Sequence, residues 1–390
     1  MRPITLLEHA RKVCLAILTG LLSDICTRHK ILHPNNFSVL KGSSIHEPLH
    51  ALNSVMEDAR ERKQELWIVL QDIRRAFDSV DWEMACRAMV RLKLPEGYIQ
   101  LYASLADQKS NQVITPFGLT DLYIAESGLD QGAVEAPIHW RISYDPLLYA
   151  IDTLAAGYTV SVLWKGPRPQ ALDSEGSITV SSLAYVDDTV WVAHSKLQAQ
   201  HMLDLAMDFF YINDIAINVK KTVLMVINLS SSPFVDPLQF GKPALPLIPI
   251  HKSEGTRYLG CHVSADGTLV AQKYLIDELV AGFVNQLMPK QVTDFQAIYL
   301  INHILVPTIL ARCILMVPSY QECLKWTRQY LNLVKQKSRL PRDTPNVMLF
   351  HPRLYKLTDL YNAVGEMHIS ELWLRLNSPV SSLAGGLTCL

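Results

Sequence analysis

The sequence predicts an α+β protein in which an antiparallel sheet of the split βαβ kind carries helices on one face and a helical C-terminal third follows. Three observations carry this. "ELWIVLQDI" (residues 65–73) is an apolar run of strand length containing Asp72. "LAYVDDTVWVA" (residues 183–193) sets two short apolar runs around Asp187, Asp188 and Thr189, as a hairpin does. "TVLMVI" (residues 222–227) supplies one more strand, and helical periodicity fills both intervals. The order is therefore strand, helix, paired strands, helix, strand.

Element by element, Leu6, Leu7, Ala10, Val13, Cys14, Ile17, Leu18, Leu21, Leu22 and Ile25 share one helical stripe. The polar stretch "HPNNFSVLKGSS" separates it from a helix over residues 48–61 and then the first strand. Helical patterns recur at 81–93 and 137–150, with a mixed region at 94–127 between them. After the hairpin, Ser195 and Gln198 match a capping box, as do Thr293/Gln296 and Ser319/Glu322 in the helical region from about 266 onward.

The 390 residues suffice for two or three packed modules, and 49% apolar against 19% charged residues excludes a disordered chain. A net charge of −1 supplies no global field, so any polyanion must be held by local patches. The seven cysteines are dispersed without a CxxC or Cys/His cluster, which disfavours a disulfide framework or a zinc site and fits a reducing compartment. Glu8, His9, Arg11 and Lys12 interrupt the N-terminal apolar residues, so no signal peptide is read there. The stretch 304–310 is too short to span a bilayer and contains Pro307. The expectation is a soluble intracellular protein, nuclear or cytoplasmic, with no membrane partner.

Adjacent carboxylates repel and make a poor tight turn. A solvated surface turn is the plain reading of Asp187–Asp188, and a metal site is the sharper one. In a split βαβ sheet the first strand lies beside the central hairpin, so Asp72 can face that pair. Three carboxylates on rigid strands suit two Mg²⁺ ions, with Mn²⁺ as a substitute, about 4 Å apart for in-line phosphoryl transfer. No G-x-x-x-x-G-K-[ST] loop is present, which excludes P-loop chemistry.

At this point the blocks form a familiar series. "YVDD" (185–188) resembles the catalytic box of reverse transcriptases, and "DIRRAFDSVD" (72–81) their first catalytic motif. "GLDQGAVEAPIHWRISYDPLL" (128–148) is similar to their Q-G motif. "INVKKT" (217–222) and "YLG" (258–260) match the two motifs that follow, and "RPITLLEHARK" (2–12) the first block. Six ordered blocks resemble the non-LTR retrotransposon type, particularly fungal forms.

The resemblance implies a right-hand polymerase, with fingers at 1–65 and part of 94–127, a palm at 66–265, and a helical thumb with a C-terminal extension at 266–390. It implies RNA-directed DNA synthesis from deoxynucleoside triphosphates onto a DNA primer, on an RNA template. Asp72, Asp187 and Asp188 become the metal triad, with the Ile73 carbonyl as an extra ligand. Asp78 and Asp81 read as helix N-terminal residues instead. Arg75, Phe77, Gln131, Gly132 and Tyr185 fall in nucleotide-binding positions. Phe77 is either the gate against a ribose 2′-hydroxyl or a core residue. Lys221 is a pyrophosphate contact and leaving-group acid, or a solvated lysine. Tyr258, Leu259 and Gly260 would form the primer grip.

Beyond the motifs, Lys325, Arg328, Lys335 and Arg339 fall in one arc of a helical wheel, either a phosphate-binding stripe or a solvated face. Departures from the family pattern are Leu40 and Ser43 where arginines are usual, Asp130 where a basic residue is common, and Glu135 where an apolar one is. They leave open a weakened relic that keeps the fold and at most binds nucleic acid. An RNA-dependent RNA polymerase is a further alternative, which Phe77 opposes. The chain shows no endonuclease domain, so integration would need a separate endonuclease activity.

Overall fold

A computed structural model describes residues 5–106, 110–125, 127–161, 177–228, 237–377 and 387. The chain divides into two compact units, Met1–Pro48 with Asp58–Ile250, and Leu49–Glu57 with His251–Leu390.

In the first unit, α1 (His9–His29) leads to α2 (His46–Arg62) and β1 (Leu66–Gln71), a strand whose six residues are all buried. A 3₁₀ turn (Phe77–Ser79), α3 (Trp82–Arg91) and α4 (Glu96–Ala106) follow. The mixed region is a doubled hairpin, β2 (Ser110–Asn111) with β5 (Tyr123–Ile124) and β3 (Ile114–Thr115) with β4 (Gly118–Leu119). Then come α5 (Ala136–Thr153) and the pair β6 (Tyr158–Ser161) and β7 (Ser177–Val180). The hairpin is β8 (Ser182–Tyr185) and β9 (Asp188–Ala193), and α6 (Lys196–Ile212) leads to β10 (Val223–Ile227). A small ladder of β11 (Leu238–Phe240) and β12 (Leu245–Leu247) completes the unit.

The main sheet has the order β10-β1-β9-β8, antiparallel throughout. The first strand therefore lies between the last strand and the second strand of the hairpin. Trp67, Val69, Trp191 and Ala193 pack with Trp140, Tyr144, Met202 and Phe210 of α5 and α6 in one core. The helices bury the sheet because their apolar residues return at helical spacing towards it.

Two expectations change here. The predicted stripe of α1 is not one buried face. Leu15, Leu22 and Cys26 are buried, whereas Val13, Ile17, Leu21 and Ile25 are exposed, so apolar residues occupy two sides of this helix. The Ser195/Gln198 box is half formed. Ser195 accepts the Gln198 N–H at 3.3 Å, but the Gln198 side chain turns to His194 and the Gly157 N–H.

On α5, His139 is fully enclosed and bonds through Nε2 to the Tyr98 hydroxyl at 2.8 Å. Burial lowers its pKa to about 3, so it stays neutral in the folded chain. Above the unfolded pKa of about 6.5 neither state binds the proton; below it only the unfolded chain does. Stability should therefore fall as pH drops from about 6.5 toward 3, by up to about 1.4 kcal/mol per pH unit from this group. Urea denaturation at several pH values checks this, and His139→Gln should show a flatter profile over that window.

In the second unit, β13 (Thr256–Tyr258) and β14 (Cys261–Val263) form a hairpin followed by α7 (Val270–Leu287). Next are α8 (Asp294–Leu300), a π-helical turn (Ile301–Leu305) and α9 (Val306–Arg312). The unit ends with α10 (Tyr320–Lys337), α11 (Asn346–Phe350) and α12 (Leu360–Leu376). The Thr293 and Ser319 capping boxes are both complete. Gln272 ties the hairpin to the helices, accepting the His262 N–H at 3.0 Å and donating to the Arg312 carbonyl at 2.6 Å. Ile276, Val280, Ile301, Ile309, Trp326 and Tyr330 build the core. Among the described residues, Asp294–Arg312 alone has the length and hydropathy of a membrane span. Its Ile301, Leu305 and Ile309 are buried in this core, whereas Phe295, Tyr299 and Ile304 are exposed.

Candidate active site

Strand register brings the three aspartates to one corner of the sheet. Gln71 pairs with Thr189 at the end of the β1–β9 ladder, so Asp72 and Asp188 are the next residues past it. Tyr185 pairs with Asp188, which makes Val186 and Asp187 the two-residue turn. Beyond β1, an isolated bridge joins Ile73 to Ile217. Arg74 N–H donates to the Ala216 carbonyl at 2.8 Å, and Asn218 N–H to the Asp72 carbonyl at 2.9 Å. The bridge does not use the Ile73 carbonyl.

The side chains themselves are not gathered into a cage. Among the described residues, no three His, Cys, Asp or Glu side chains are placed to hold a metal ion. The donor chemistry still fits Mg²⁺, because all donors are hard oxygens, and this ion usually takes one or two carboxylates, waters and substrate phosphates.

The turn is held from below. Val186 sits at φ +58°, which a β-branched residue rarely adopts. The buried Trp140 of α5 donates its indole N–H to the Val186 carbonyl at 2.8 Å. Trp140 stacks on Tyr144, with ring centroids 5.5 Å apart. The Tyr144 hydroxyl meets Thr189 Oγ1 at 3.1 Å and Gln71 Nε2 at 3.4 Å, and the Trp191 indole donates to Gln71 Oε1 at 2.9 Å. Burial pushes the Tyr144 phenol well up, so it stays neutral. A buried polar chain thus joins α5, β1 and β9 beneath the aspartates.

A second clamp acts through β8. Arg141 donates to the carbonyls of Ser38 and His33, and Asp145 Oδ1 accepts the His33 N–H at 2.6 Å. Burial lowers the Arg141 pKa to about 10, and Asp145 opposes that shift. The segment so held bonds to β8: Ala184 N–H donates to the Asn35 carbonyl and Phe37 N–H to the Ala184 carbonyl, both at 2.8 Å. Sequence reading missed Trp140, Tyr144, Gln71 and Arg141. The available signal was chemical, since a buried indole, phenol or guanidinium must find a partner.

Beside the corner is a cleft of about 520 Å³ lined by Arg75, Phe77, Asp78, Gln131, Gly132 and Asp187, among others. Four of the five residues expected to bind a nucleotide therefore share one cleft with Asp187. Tyr185 and Lys221 lie outside its lining, and Lys221 is exposed just before β10. Phe77 is half-buried and lines the cleft while its ring lies 6.0 Å from Trp140, so it is both wall and core edge. Gln131 Nε2 donates to Asp78 Oδ1 at 3.2 Å. Gly128 is required by close approach: a Cβ there would sit 3.0 Å from the Asp78 carbonyl oxygen. Asp81 caps α3 by accepting the Met84 N–H at 2.9 Å, as expected of a helix-start residue. Asp130 is 3.7 Å from Arg11.

In the second unit, Tyr258 is buried at the end of β13, and Leu259 and Gly260 form the turn at φ +46° and +89°. Positive φ at both positions is the tight-hairpin geometry that favours glycine. The basic stripe is not a single exposed row. Arg328 is exposed, but Lys335 is buried and its amine donates to the Arg342 carbonyl at 2.9 Å. Lys325 pairs with Asp277 at 2.7 Å, and Arg339 lies past the end of α10 at φ +53°. The wheel projection failed because the arc of α10 it selected also faces the core.

With this geometry in place, the comparisons give the class. The model of the reverse transcriptase (RNA-dependent DNA polymerase) family matches residues 1–263, and the chain belongs to that family. It is similar to the retrovirus-related Pol polyprotein of the type-1 retrotransposable element R2 from Popillia japonica, 25% identical over 57% of this chain and 29% of that protein. The R2 polyprotein of Bradysia coprophila is 25% identical over 77% of this chain and 33% of its own length. A probable RNA-directed DNA polymerase from transposon BS of Drosophila melanogaster is 26% identical over 36% and 16%. The chain thus spans about a third or less of the curated relatives it matches. Among solved structures, telomerase from Candida tropicalis aligns with 96% of this chain and 56% of its own, at 13% identity and a TM-score of 0.43. The chain is a reverse transcriptase domain of the kind found in non-LTR retrotransposons.

Proposed function

We propose that the chain extends a DNA primer on an RNA template, joining deoxynucleoside triphosphates at the corner formed by Asp72, Asp187 and Asp188. One observation carries the reading: the cleft that gathers Arg75, Phe77, Gln131 and Gly132 also contains Asp187. Asp72, Asp187, Asp188 and the Ile73 carbonyl would hold two divalent cations, which would supply activation of the primer 3′-hydroxyl and charge neutralisation on the leaving pyrophosphate.

The chain's own residues do the rest. Arg75 is exposed at the cleft wall, where its guanidinium can take the triphosphate. Gly132 lets backbone approach the new base pair, and Gln131 offers a donor and an acceptor beside it. Lys221 protonates the leaving group only if the bound complex carries it from its exposed position to the phosphates. Residues 1–65, with part of 94–127, act as fingers, 66–265 as palm with the Tyr258–Gly260 turn as primer grip, and 266–390 as thumb and C-terminal extension. A separate endonuclease supplies the nick for integration. Primer extension on an RNA template with Mg²⁺ and four deoxynucleoside triphosphates tests this: a lengthened primer is expected, and an unextended one at high enzyme concentration overturns it.

The sugar gate follows from Phe77. Phe77→Val should admit ribonucleotides that the parent excludes, read as the ratio of kcat/KM for a ribonucleotide over its deoxy counterpart. A rise of at least about tenfold, about 1.4 kcal/mol, is expected if the ring blocks the 2′-hydroxyl. An unchanged ratio assigns Phe77 to the core alone.

Duplex affinity should depend on the exposed cations. Arg328→Gln should flatten the slope of log K against log[salt] by about 1, the effect of one phosphate contact. Lys335→Gln should leave that slope unchanged, because its amine is held by the Arg342 carbonyl. Fluorescence anisotropy of a labelled hybrid duplex across a salt series measures both.

A further inference from the structure

The first unit contains a second, smaller cavity, walled by α1, α4 and the start of α5. Its apolar walls include Leu15, Leu18, Leu101 and Leu105, and it is a partly open pocket with a volume of about 30 Å³. Four buried polar atoms on its lining residues have no hydrogen-bond partner among the described residues: Arg11 Nε, Tyr102 Oη, Glu135 Oε2 and His139 Nδ1. Glu135, His139 and Tyr102 are 8%, 2% and 8% exposed, so bulk solvent does not satisfy them. Buried polar atoms left unmatched cost about 1–3 kcal/mol each, and native interiors rarely keep four together.

The residues could not easily satisfy one another. Glu135, just before α5, and His139 are one helical turn apart, yet neither Glu135 Oε2 nor His139 Nδ1 has a partner among the described residues. The other imidazole nitrogen is engaged by Tyr98. The Tyr102 ring stands edge-on to the imidazole, with centroids 4.2 Å apart, an arrangement that packs the rings without joining the hydroxyl to the imidazole Nδ1. A metal is disfavoured as well, because no three of the described metal-ligating side chains are placed for one.

We propose that this chamber is a binding site for ordered water, one or two molecules bridging Glu135, His139, Tyr102 and Arg11. The fit is quantitative. A cavity must exceed about 10–15 Å³ to hold a water, and a buried water makes two to four hydrogen bonds. Four unmatched atoms around a pocket of about 30 Å³ meet both conditions. The donor and acceptor types also match: the Glu135 carboxylate accepts, Arg11 Nε donates, and the hydroxyl and imidazole do either. The site accounts for a glutamate at a position facing leucines. Its wall is shared with the nucleotide cleft, since Asp130 and Ala136 line both cavities. The water therefore backs the same segment that carries Gln131 and Gly132. The proposal does not depend on polymerase activity.

The test is a high-resolution crystal structure of the chain together with water relaxation dispersion in solution. Density for one or two waters within hydrogen-bond distance of Glu135 Oε2 and His139 Nδ1 is expected. A dry chamber, with those atoms closed onto protein partners, overturns the proposal. In solution, Tyr102→Phe removes one partner while keeping the ring, and should reduce the number of long-lived waters by about one relative to the parent. An unchanged number overturns the assignment to Tyr102 and, with a dry crystal chamber, the site itself. Should that variant fold poorly, nuclear Overhauser contacts between water and the His139 ring in the parent replace it: their presence supports the site and their absence overturns it.

Discussion

Asp187→Asn should abolish primer extension and leave the fold and duplex binding in place. The substitution keeps the side chain's size and removes its negative charge at the two-residue turn, where Asp187 lines the cleft and Asp72 stands past the end of the β1–β9 ladder. In the proposed mechanism a carboxylate there would anchor a cation that stabilises charge on the reacting phosphate, an effect of several kcal/mol. Extension should therefore fall by about a thousandfold or more. Duplex affinity should change little, because binding draws on cations such as Arg328 rather than on this carboxylate. Single-turnover extension and anisotropy on the same preparation separate the two effects. Equal losses in both would mean that the aspartate supports structure or docking and not chemistry.

Trp140→Ala should cost the first unit about 3–5 kcal/mol of stability, the usual range for emptying a large buried aromatic site. Its indole is 1% exposed, stacks on Tyr144 and bonds the Val186 carbonyl, so the change opens a cavity and releases the turn together. Trp140→Phe separates these roles, since it keeps a ring but removes the N–H. That variant should lose about 1 kcal/mol for the missing hydrogen bond, with a further cost from the smaller ring. Its extension rate should fall more than its nucleotide KM rises, because the freed Val186 no longer fixes Asp187. Urea denaturation supplies the stabilities, and steady-state extension supplies kcat and KM. Full activity in Trp140→Phe would show that β8 and β9 alone hold the turn.

The sheet was legible because its signals are local. β1 and the hairpin announce themselves as apolar runs of strand length, and their order admits few topologies. The Asp187–Asp188 turn stood out because it makes poor turn chemistry. The cleft was legible only through family resemblance, since nothing in the spacing of Phe77 and Gln131 says they meet. Trp140 and Arg141 stayed hidden because their roles depend on which backbone carbonyls come near. The α10 stripe misled for a related reason. Lys335 can bury its alkyl chain and still satisfy its amine on a carbonyl, so a helical wheel counts it as a surface charge. The outer apolar row of α1 likewise reads the same from sequence whether covered or exposed.

The most direct measurement is the structure of the chain with an RNA template, a DNA primer blocked at its 3′ end, a matching deoxynucleoside triphosphate and Mn²⁺. Anomalous scattering should place two ions about 4 Å apart at the corner between Asp72 and Asp187. The triphosphate should lie against Arg75, with its sugar beside Phe77. A nucleotide bound with no ion at that corner, or seated away from the cleft, would contradict the assignment of this site to RNA-directed DNA synthesis.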